Sequence, residues 1–114
     1  DSVGRFKVIE TPGHSSGHLS FFRDEDGVLI VGDVCTNMNL LTTIPGLHQP
    51  PGLFTLDKEK NIQSIKKIAS LNPQILCFGH GPVLLNKNRQ FESFAKNSEK
   101  LFKSAKELPL VPFA

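Results

Sequence analysis

Residues 11–18, with the sequence TPGHSSGH, constrain the fold of this chain more than any other stretch. The segments on both sides have the apolar, β-branched and aromatic composition of β-strands. A helix cannot begin here, because Pro12 lacks a backbone N–H and Gly13 is entropically costly in a helix. On a helix, His14 and His18 would share one face, as in zinc proteases, but the helical frame is missing. We predict a loop that presents His14 beyond the end of a sheet, with His18 at the root of the next strand.

Two later stretches repeat this arrangement of an apolar, strand-like run followed by glycine and a side chain able to bind a metal. The run 28–31 leads through a glycine to Asp33, and the run 75–78 leads through a glycine to His80. Glycine lets the backbone turn sharply and leaves space beside a ligand. Three strand ends thus offer His14, Asp33 and His80. Two imidazoles and a carboxylate suit zinc, iron or manganese.

Hydrophobic periodicity and turn signals predict an α/β fold of the α+β type in a single domain, residues 1–114. The predicted elements, in chain order, are strands 6–10, 18–23 and 28–31, a helix capped by Asp57 that ends before Pro73, strand 75–78 and a helix over 87–107. An Asp-Gly turn joins the second strand to the third. Residues 35–55 are rich in proline and glycine and are predicted to be irregular. We expect a mainly antiparallel sheet of about four strands with both helices on one face.

Composition excludes several function classes. The net charge of +2 is too small to indicate nucleic-acid binding, and no apolar run is long enough to span a bilayer. A secretory signal pattern is missing from the first residues. Cys35 and Cys77 are expected to be reduced, small buried residues rather than metal ligands. The sequence therefore predicts a cytoplasmic protein that binds neither nucleic acid nor membrane.

The three motifs, in this order and with these connecting elements, resemble the metallo-β-lactamase superfamily of glyoxalase-II-like metallo-hydrolases. The matching residues are Thr11-Pro12-Gly13-His14 with Gly17-His18, then Val31-Gly32-Asp33, then Phe78-Gly79-His80-Gly81-Pro82. The resemblance implies that His14 is a ligand of a first metal, that Asp33 bridges two metals and that His80 is a ligand of the second. It implies a zinc-type hydrolase whose metal-bound hydroxide attacks an ester, thioester, lactone or related bond in a small-molecule substrate.

The chain differs from the superfamily in lacking the signature His-x-His-x-Asp-His, which should precede His14 and supply two ligands to each metal. Thirteen residues precede His14, and none of them is histidine. The family fold is an αβ/βα sandwich of two similar halves, so we expect this chain to be the C-terminal half, a fragment. The parent protein is expected to hold one or two ions. The segment alone is expected to be inactive, with metal ligands as its sole site residues and with little or no metal bound.

A second hypothesis assigns the chain a binding function and no catalytic one. Under this hypothesis the chain is a truncated domain that dimerises, or docks a partner, through the sheet face that the missing half would cover. Two other histidines are predicted to lie outside the ligand set: His18 forms hydrogen bonds within its loop, and His48 lies in the proline-rich segment. The substrate, the metal and the oligomeric state stay open at this point.

Overall fold

The computed structural model describes residues 2–13, 15–39, 42, 44–49 and 57–107. Within these ranges the elements are β1 (Ser2–Val3), β2 (Phe6–Glu10), β3 (Leu19–Arg23), β4 (Val28–Gly32), β5 (Thr36–Met38), β6 (Pro45–His48), α1 (Lys58–Ala69), β7 (Ile75–Phe78), β8 (Leu84–Leu85) and α2 (Gln90–Glu107). Six strands form one sheet in the order β1-β2-β3-β4-β7-β8, and β5 pairs with β6 in a separate ribbon.

Short turns between consecutive strands make most of the sheet antiparallel. Strands β1 to β4 form an antiparallel meander, and β8 returns antiparallel to β7. The turn between β3 and β4 contains Gly27 at a φ of 71°, as the Asp-Gly pair predicts. Strands β4 and β7 pair in parallel, because helix α1 lies between them in the chain and returns it to the same end of the sheet.

Both helices pack on one face of this sheet, as predicted. Helix α1 begins after Asp57, whose carboxylate accepts a hydrogen bond from the Lys60 backbone N–H at 3.0 Å, so the predicted N-cap is confirmed. The buried core joins the sheet to the two helices through Phe22, Leu29, Val31 and Leu76 of the strands, Ile65, Ile68 and Ala69 of α1, and Phe91 and Ala95 of α2. The fold class predicted from the sequence is therefore confirmed.

The opposite face of the sheet has a continuous apolar row. Cross-strand pairing places Val8, Phe21, Ile30 and Cys77 side by side on four neighbouring strands. These residues alternate with the buried residues of the helix-covered face, and Ile30 is 37% exposed whereas its neighbour Leu29 is fully buried. We call this row the open face. The described residues thus form one main sheet with both helices on a single side.

Three local features differ from the predicted pattern. Residues 35–55 were expected to be irregular, but β5 and β6 form a ribbon within them, with proline at the first position of β6, where a strand tolerates it. Residues 50–56 lie outside the described residues. Helix α2 begins at Gln90 rather than near 87, because Asn88 and Arg89 have φ values of 54° and 55°, which a right-handed helix excludes. Within the described ranges, neither helix has the length and apolar character needed to cross a membrane.

The two faces of β4 predict unequal costs of truncation. Leu29→Ala removes a fully buried side chain and should lower the free energy of unfolding of this chain by about 2–5 kcal/mol. Ile30→Ala, the adjacent residue on the open face, should cost roughly 1 kcal/mol or less. Urea denaturation followed by circular dichroism measures both. Equal losses would contradict a core that lies on one side of the sheet.

Candidate metal centre

Two of the predicted site residues follow strands that are neighbours in the sheet. Asp33 comes directly after β4, and His80 follows β7 with one glycine between them. Parallel strands bring their carboxyl ends to the same edge, and the Gly79 N–H donates to the Gly32 carbonyl oxygen at 2.9 Å. The fold therefore places Asp33 and His80 together at one edge of the sheet.

The two side chains are in direct contact. The Nδ1 atom of His80 lies 3.1 Å from the Oδ1 atom of Asp33, and the side chains are 50% and 40% exposed, respectively. Two ligand atoms at about 2.0 Å from a tetrahedral zinc ion are about 3.3 Å apart, so this separation suits donors that share one metal. An imidazole nitrogen and a carboxylate oxygen are also the donor types that zinc and iron accept. The pair fits the metal that the motifs indicate.

Glycine at position 79 makes room for the carboxylate. A Cβ atom there would lie 2.5 Å from Asp33 Oδ1, closer than any real contact permits. Gly81 is equally constrained, because it has a φ of 101° and a Cβ atom there would lie 2.5 Å from the Asn37 backbone. Gly79 thus leaves space beside Asp33, and Gly81 allows the close approach of the Asn37 backbone.

Asn37 holds the loop that carries His80, residues 79–82, in place. The sequence pattern did not indicate this role of Asn37. Its backbone N–H donates to the His80 carbonyl oxygen at 3.0 Å, and its side-chain amide donates to the Pro82 carbonyl oxygen at 2.9 Å. The residue is 5% exposed. It lies in the segment predicted to be irregular, where no periodic pattern marks a polar residue as buried.

Helix α1 holds the beginning of the 11–18 loop against the sheet. The Ser64 hydroxyl donates to the Pro12 carbonyl oxygen at 2.7 Å, and the Asp57 N–H donates to the Gly13 carbonyl oxygen at 2.9 Å. Gly13 lies against Asn61, whose backbone is 2.3 Å from where a Cβ atom of residue 13 would be. The Asn61 amide also donates to the Val34 carbonyl oxygen at 2.9 Å, so one buried side chain contacts both candidate ligand segments.

His14 lies outside the described residues, so its role as a ligand stays a prediction. The metal-ligand roles of Asp33 and His80 stay predictions as well, although the structure brings these two side chains together. Among the described residues, no group of three or more His, Cys, Asp or Glu side chains could hold a metal ion.

Two further histidines, His18 and His48, and the two cysteines belong to the described residues besides this pair. His18 forms a hydrogen bond within its loop, as predicted, through Nδ1 to the Thr11 hydroxyl at 2.9 Å. His48 is exposed on β6, opposite Thr36. Both cysteines are free, and burial raises the pKa of the Cys35 thiol, which keeps it protonated and unsuited to metal binding.

A groove of about 650 Å³ lies between β6 and α2. Its lining is uncharged and mixes amide, hydroxyl, imidazole and apolar side chains, including Gln49, Asn97 and Phe94. Neither Asp33 nor His80 lines it, so the groove does not enclose the candidate metal pair.

Comparison with known proteins identifies the family. The sequence profile of the metallo-beta-lactamase superfamily matches residues 1–80. The chain belongs to this superfamily. Among curated relatives, it is 42% identical over 86 residues to the probable metallo-hydrolase YflN of Bacillus subtilis, a match that covers 70% of this chain and 33% of the relative. It is 33% identical over 86 residues to the atrochrysone carboxyl ACP thioesterase of Aspergillus fumigatus, covering 75% of this chain and 24% of the relative.

Solved structures of the superfamily share the fold. The metallo-beta-lactamase family protein TTHA1429 from Thermus thermophilus superposes with a TM-score of 0.57 at 23% identity, covering 87% of this chain and 32% of that one. The protein TTHA1623, solved in a di-iron-bound form, gives a TM-score of 0.52 at 25% identity, covering 82% and 42% of the two chains. The chain spans about a third of the length of three curated metallo-hydrolases of Bacillus subtilis that it matches, with 33%, 38% and 37% coverage.

Substitution of the glycine beside the carboxylate should weaken metal binding. Gly79→Ala places a methyl group 2.5 Å from Asp33 Oδ1 and displaces the carboxylate, so we expect metal affinity in the full-length gene product to fall by about tenfold or more. Gly17→Ala is the matched control, because a Cβ atom there meets nothing within 4 Å. Competition with a chromogenic chelator measures both affinities. Equal affinities in the two variants would contradict a metal site at Asp33.

Proposed function

We propose that this chain, as a single domain of residues 1–114, forms the C-terminal half of a metal-dependent hydrolase that cleaves an ester, thioester, lactone or related bond. The observation that carries the proposal is the 3.1 Å contact of Asp33 with His80 at adjacent strand ends of a metallo-beta-lactamase superfamily member. The relatives support it, since one is a probable metallo-hydrolase and another is a thioesterase. The partner of the site is accordingly a small-molecule substrate.

The residues proposed to hold the metal are His14, Asp33 and His80, with Asp33 shared between two ions. When bound, the metal supplies a Lewis acid and lowers the pKa of a water molecule that it coordinates. Zinc is the first choice for this donor set, and the di-iron form of TTHA1623 supports iron as the alternative.

The chain's own residues contribute position and charge. Asp33 supplies the negative charge that a cation needs, and it directly follows β4, which contributes Leu29 and Val31 to the core. Asn37 fixes the His80 loop from the other side. The half-exposed pair leaves the site open to solvent and substrate. Zinc in proteins normally has at least three protein ligands, so two described donors hold a metal weakly and the remaining ligands come from outside the described residues.

A cytoplasmic location is part of the same proposal. Cys35 and Cys77 are both free thiols, as expected in a reducing compartment. Burial of Cys35 protects its thiol without a disulfide.

A second candidate function rests on the open face. Its row of Val8, Phe21, Ile30 and Cys77 is apolar and is not covered by the helices of the described chain. Apolar surface of this kind marks an interface. The proposed occupant is the missing N-terminal half in the parent protein. A second copy of the chain is the alternative, in which case the domain dimerises without catalysis.

Metal content and activity distinguish the two candidate functions. The full-length gene product should bind one or two metal ions and hydrolyse a member of an ester, thioester and lactone panel, whereas the isolated segment should do neither, because it supplies too few ligands. Asp33→Asn in the full-length product should abolish activity. Asp26→Asn, in the exposed turn where Asp26 pairs with Arg23, is the matched control. Stoichiometric zinc and full-length-like turnover in the segment would contradict the fragment proposal.

Alkylation of the cysteines tests what covers the open face. Cys77 should react with iodoacetamide readily in the isolated segment and at least about tenfold more slowly in the full-length product, where the other half covers it. Cys35 is fully buried with a raised pKa and serves as the slow internal reference in both. Peptide mass spectrometry over time measures each rate. Protection of Cys77 that rises with the concentration of the isolated segment would favour the dimer instead.

A further inference from the structure

The imidazole of His18 joins two segments that carry predicted ligands. Its Nδ1 atom lies 2.9 Å from the Thr11 hydroxyl, and its Nε2 atom accepts a hydrogen bond from the Asp33 backbone N–H at 3.1 Å. His14 lies between Thr11 and His18 in the sequence. The contact with Asp33 goes beyond the role within the loop that the sequence indicates.

The direction of these hydrogen bonds fixes the tautomer. A backbone N–H can only donate, so Nε2 of His18 carries a lone pair and the neutral ring carries its proton on Nδ1. The Nδ1–H group then donates to the Thr11 hydroxyl oxygen, and the Thr11 and Ser20 hydroxyls share a further hydrogen bond of 2.9 Å. Thr11 and Ser20 are both fully buried. The resulting chain of hydrogen bonds links the Asp33 backbone to Ser20 of β3.

Two further features hold the ring in this position. The Thr11 N–H donates to the His18 carbonyl oxygen at 3.0 Å, which closes the 11–18 loop at its base through the backbone as well as the side chain. Gly32 has a φ of 57°, and a Cβ atom there would lie 2.9 Å from Nε2 of His18. The glycine before Asp33 therefore gives the imidazole access to the Asp33 backbone.

We propose that His18 is a positioning residue that couples the loop carrying His14 to the backbone of Asp33. The proposal rests on the function proposed above, because it assigns His18 to the support of that site. His18 does not touch the metal or the substrate in this role. It sets the distance between two ligand-bearing segments, one before β3 and one after β4, by hydrogen-bonding to both through opposite sides of one ring.

Two conservative substitutions separate the functions of the two ring nitrogens. Gln at position 18 can place an amide oxygen near the position of Nε2, so His18→Gln keeps an acceptor for the Asp33 N–H. Asn is shorter and places its amide near Nδ1, so His18→Asn keeps the contact with Thr11 and loses the acceptor. In the full-length gene product, His18→Asn should weaken metal binding by about 10- to 100-fold, and His18→Gln should recover most of that loss.

The control is His48→Asn, which changes an exposed histidine on β6 and should leave metal affinity unchanged. The melting temperature of each metal-free variant is measured beside its affinity. Equal weakening by the two His18 substitutions, or weakening that simply follows melting temperature, would overturn the proposal, because a merely structural role predicts that result.

A metal-independent measurement uses ¹⁵N NMR of the metal-free full-length product. We expect the chemical shift of an unprotonated Nε2 on His18, and a scalar coupling across the hydrogen bond between this atom and the Asp33 amide nitrogen. Hydrogen exchange of the Asp33 amide should accelerate in His18→Asn and return toward the wild-type rate in His18→Gln.

The two readouts separate failure of this inference from failure of the proposed function. A protonated Nε2, or an Asp33 amide indifferent to His18→Asn, overturns the coupling even if the wild-type protein binds metal. Intact coupling in a wild-type protein that binds no metal supports the link between the two segments and overturns the metal-dependent hydrolase alone.

Discussion

The parallel pairing of β4 with β7 is the interaction on which the rest of the site depends. It aligns the carboxyl ends of two core strands, so that Asp33 and His80 leave the sheet at the same edge. The pairing is itself possible because α1 returns the chain across the sheet and packs its apolar face on the same core. The close approach of Asp33 and His80 at this edge of the sheet thus depends on the hydrophobic packing of α1 against β4 and β7.

Uncharged polar side chains fix the loops around this pair. His18, Asn37 and Asn61 each hydrogen-bond to the backbone of a segment next to a predicted ligand. An amide or imidazole that is fully or partly buried is costly unless it is hydrogen-bonded, so each of these contacts favours one arrangement of its loop over others. Glycines at the points of closest approach complete the arrangement, since larger residues would push the loops apart. The loops next to the pair are thus held by hydrogen bonds between side chains and backbone atoms.

The sequence predicted the parts of the molecule that depend on local patterns. Apolar runs located the main strands, Asp57 marked the start of α1, and a glycine after each strand indicated Asp33 and His80. The ribbon of β5 and β6 escaped prediction, because its pairing depends on tertiary contacts in a segment rich in proline and glycine. Asn37 and the contact of His18 with Asp33 escaped for the same reason: a hydrogen bond between residues far apart in sequence leaves no periodic signal.

The sequence separation of Asp33 and His80 affects when their contact can form during folding. Asp33 and His80 are 47 residues apart, and they meet only when β7 has joined β4 across the intervening helix. Closing so long a segment costs chain entropy before the contact can form, so we expect this pairing to form late in folding. A nascent chain that has not yet added β7 to the sheet holds these two donors apart and cannot chelate an ion with both. The metal site proposed for this edge would therefore require the pairing of β4 with β7 to be complete.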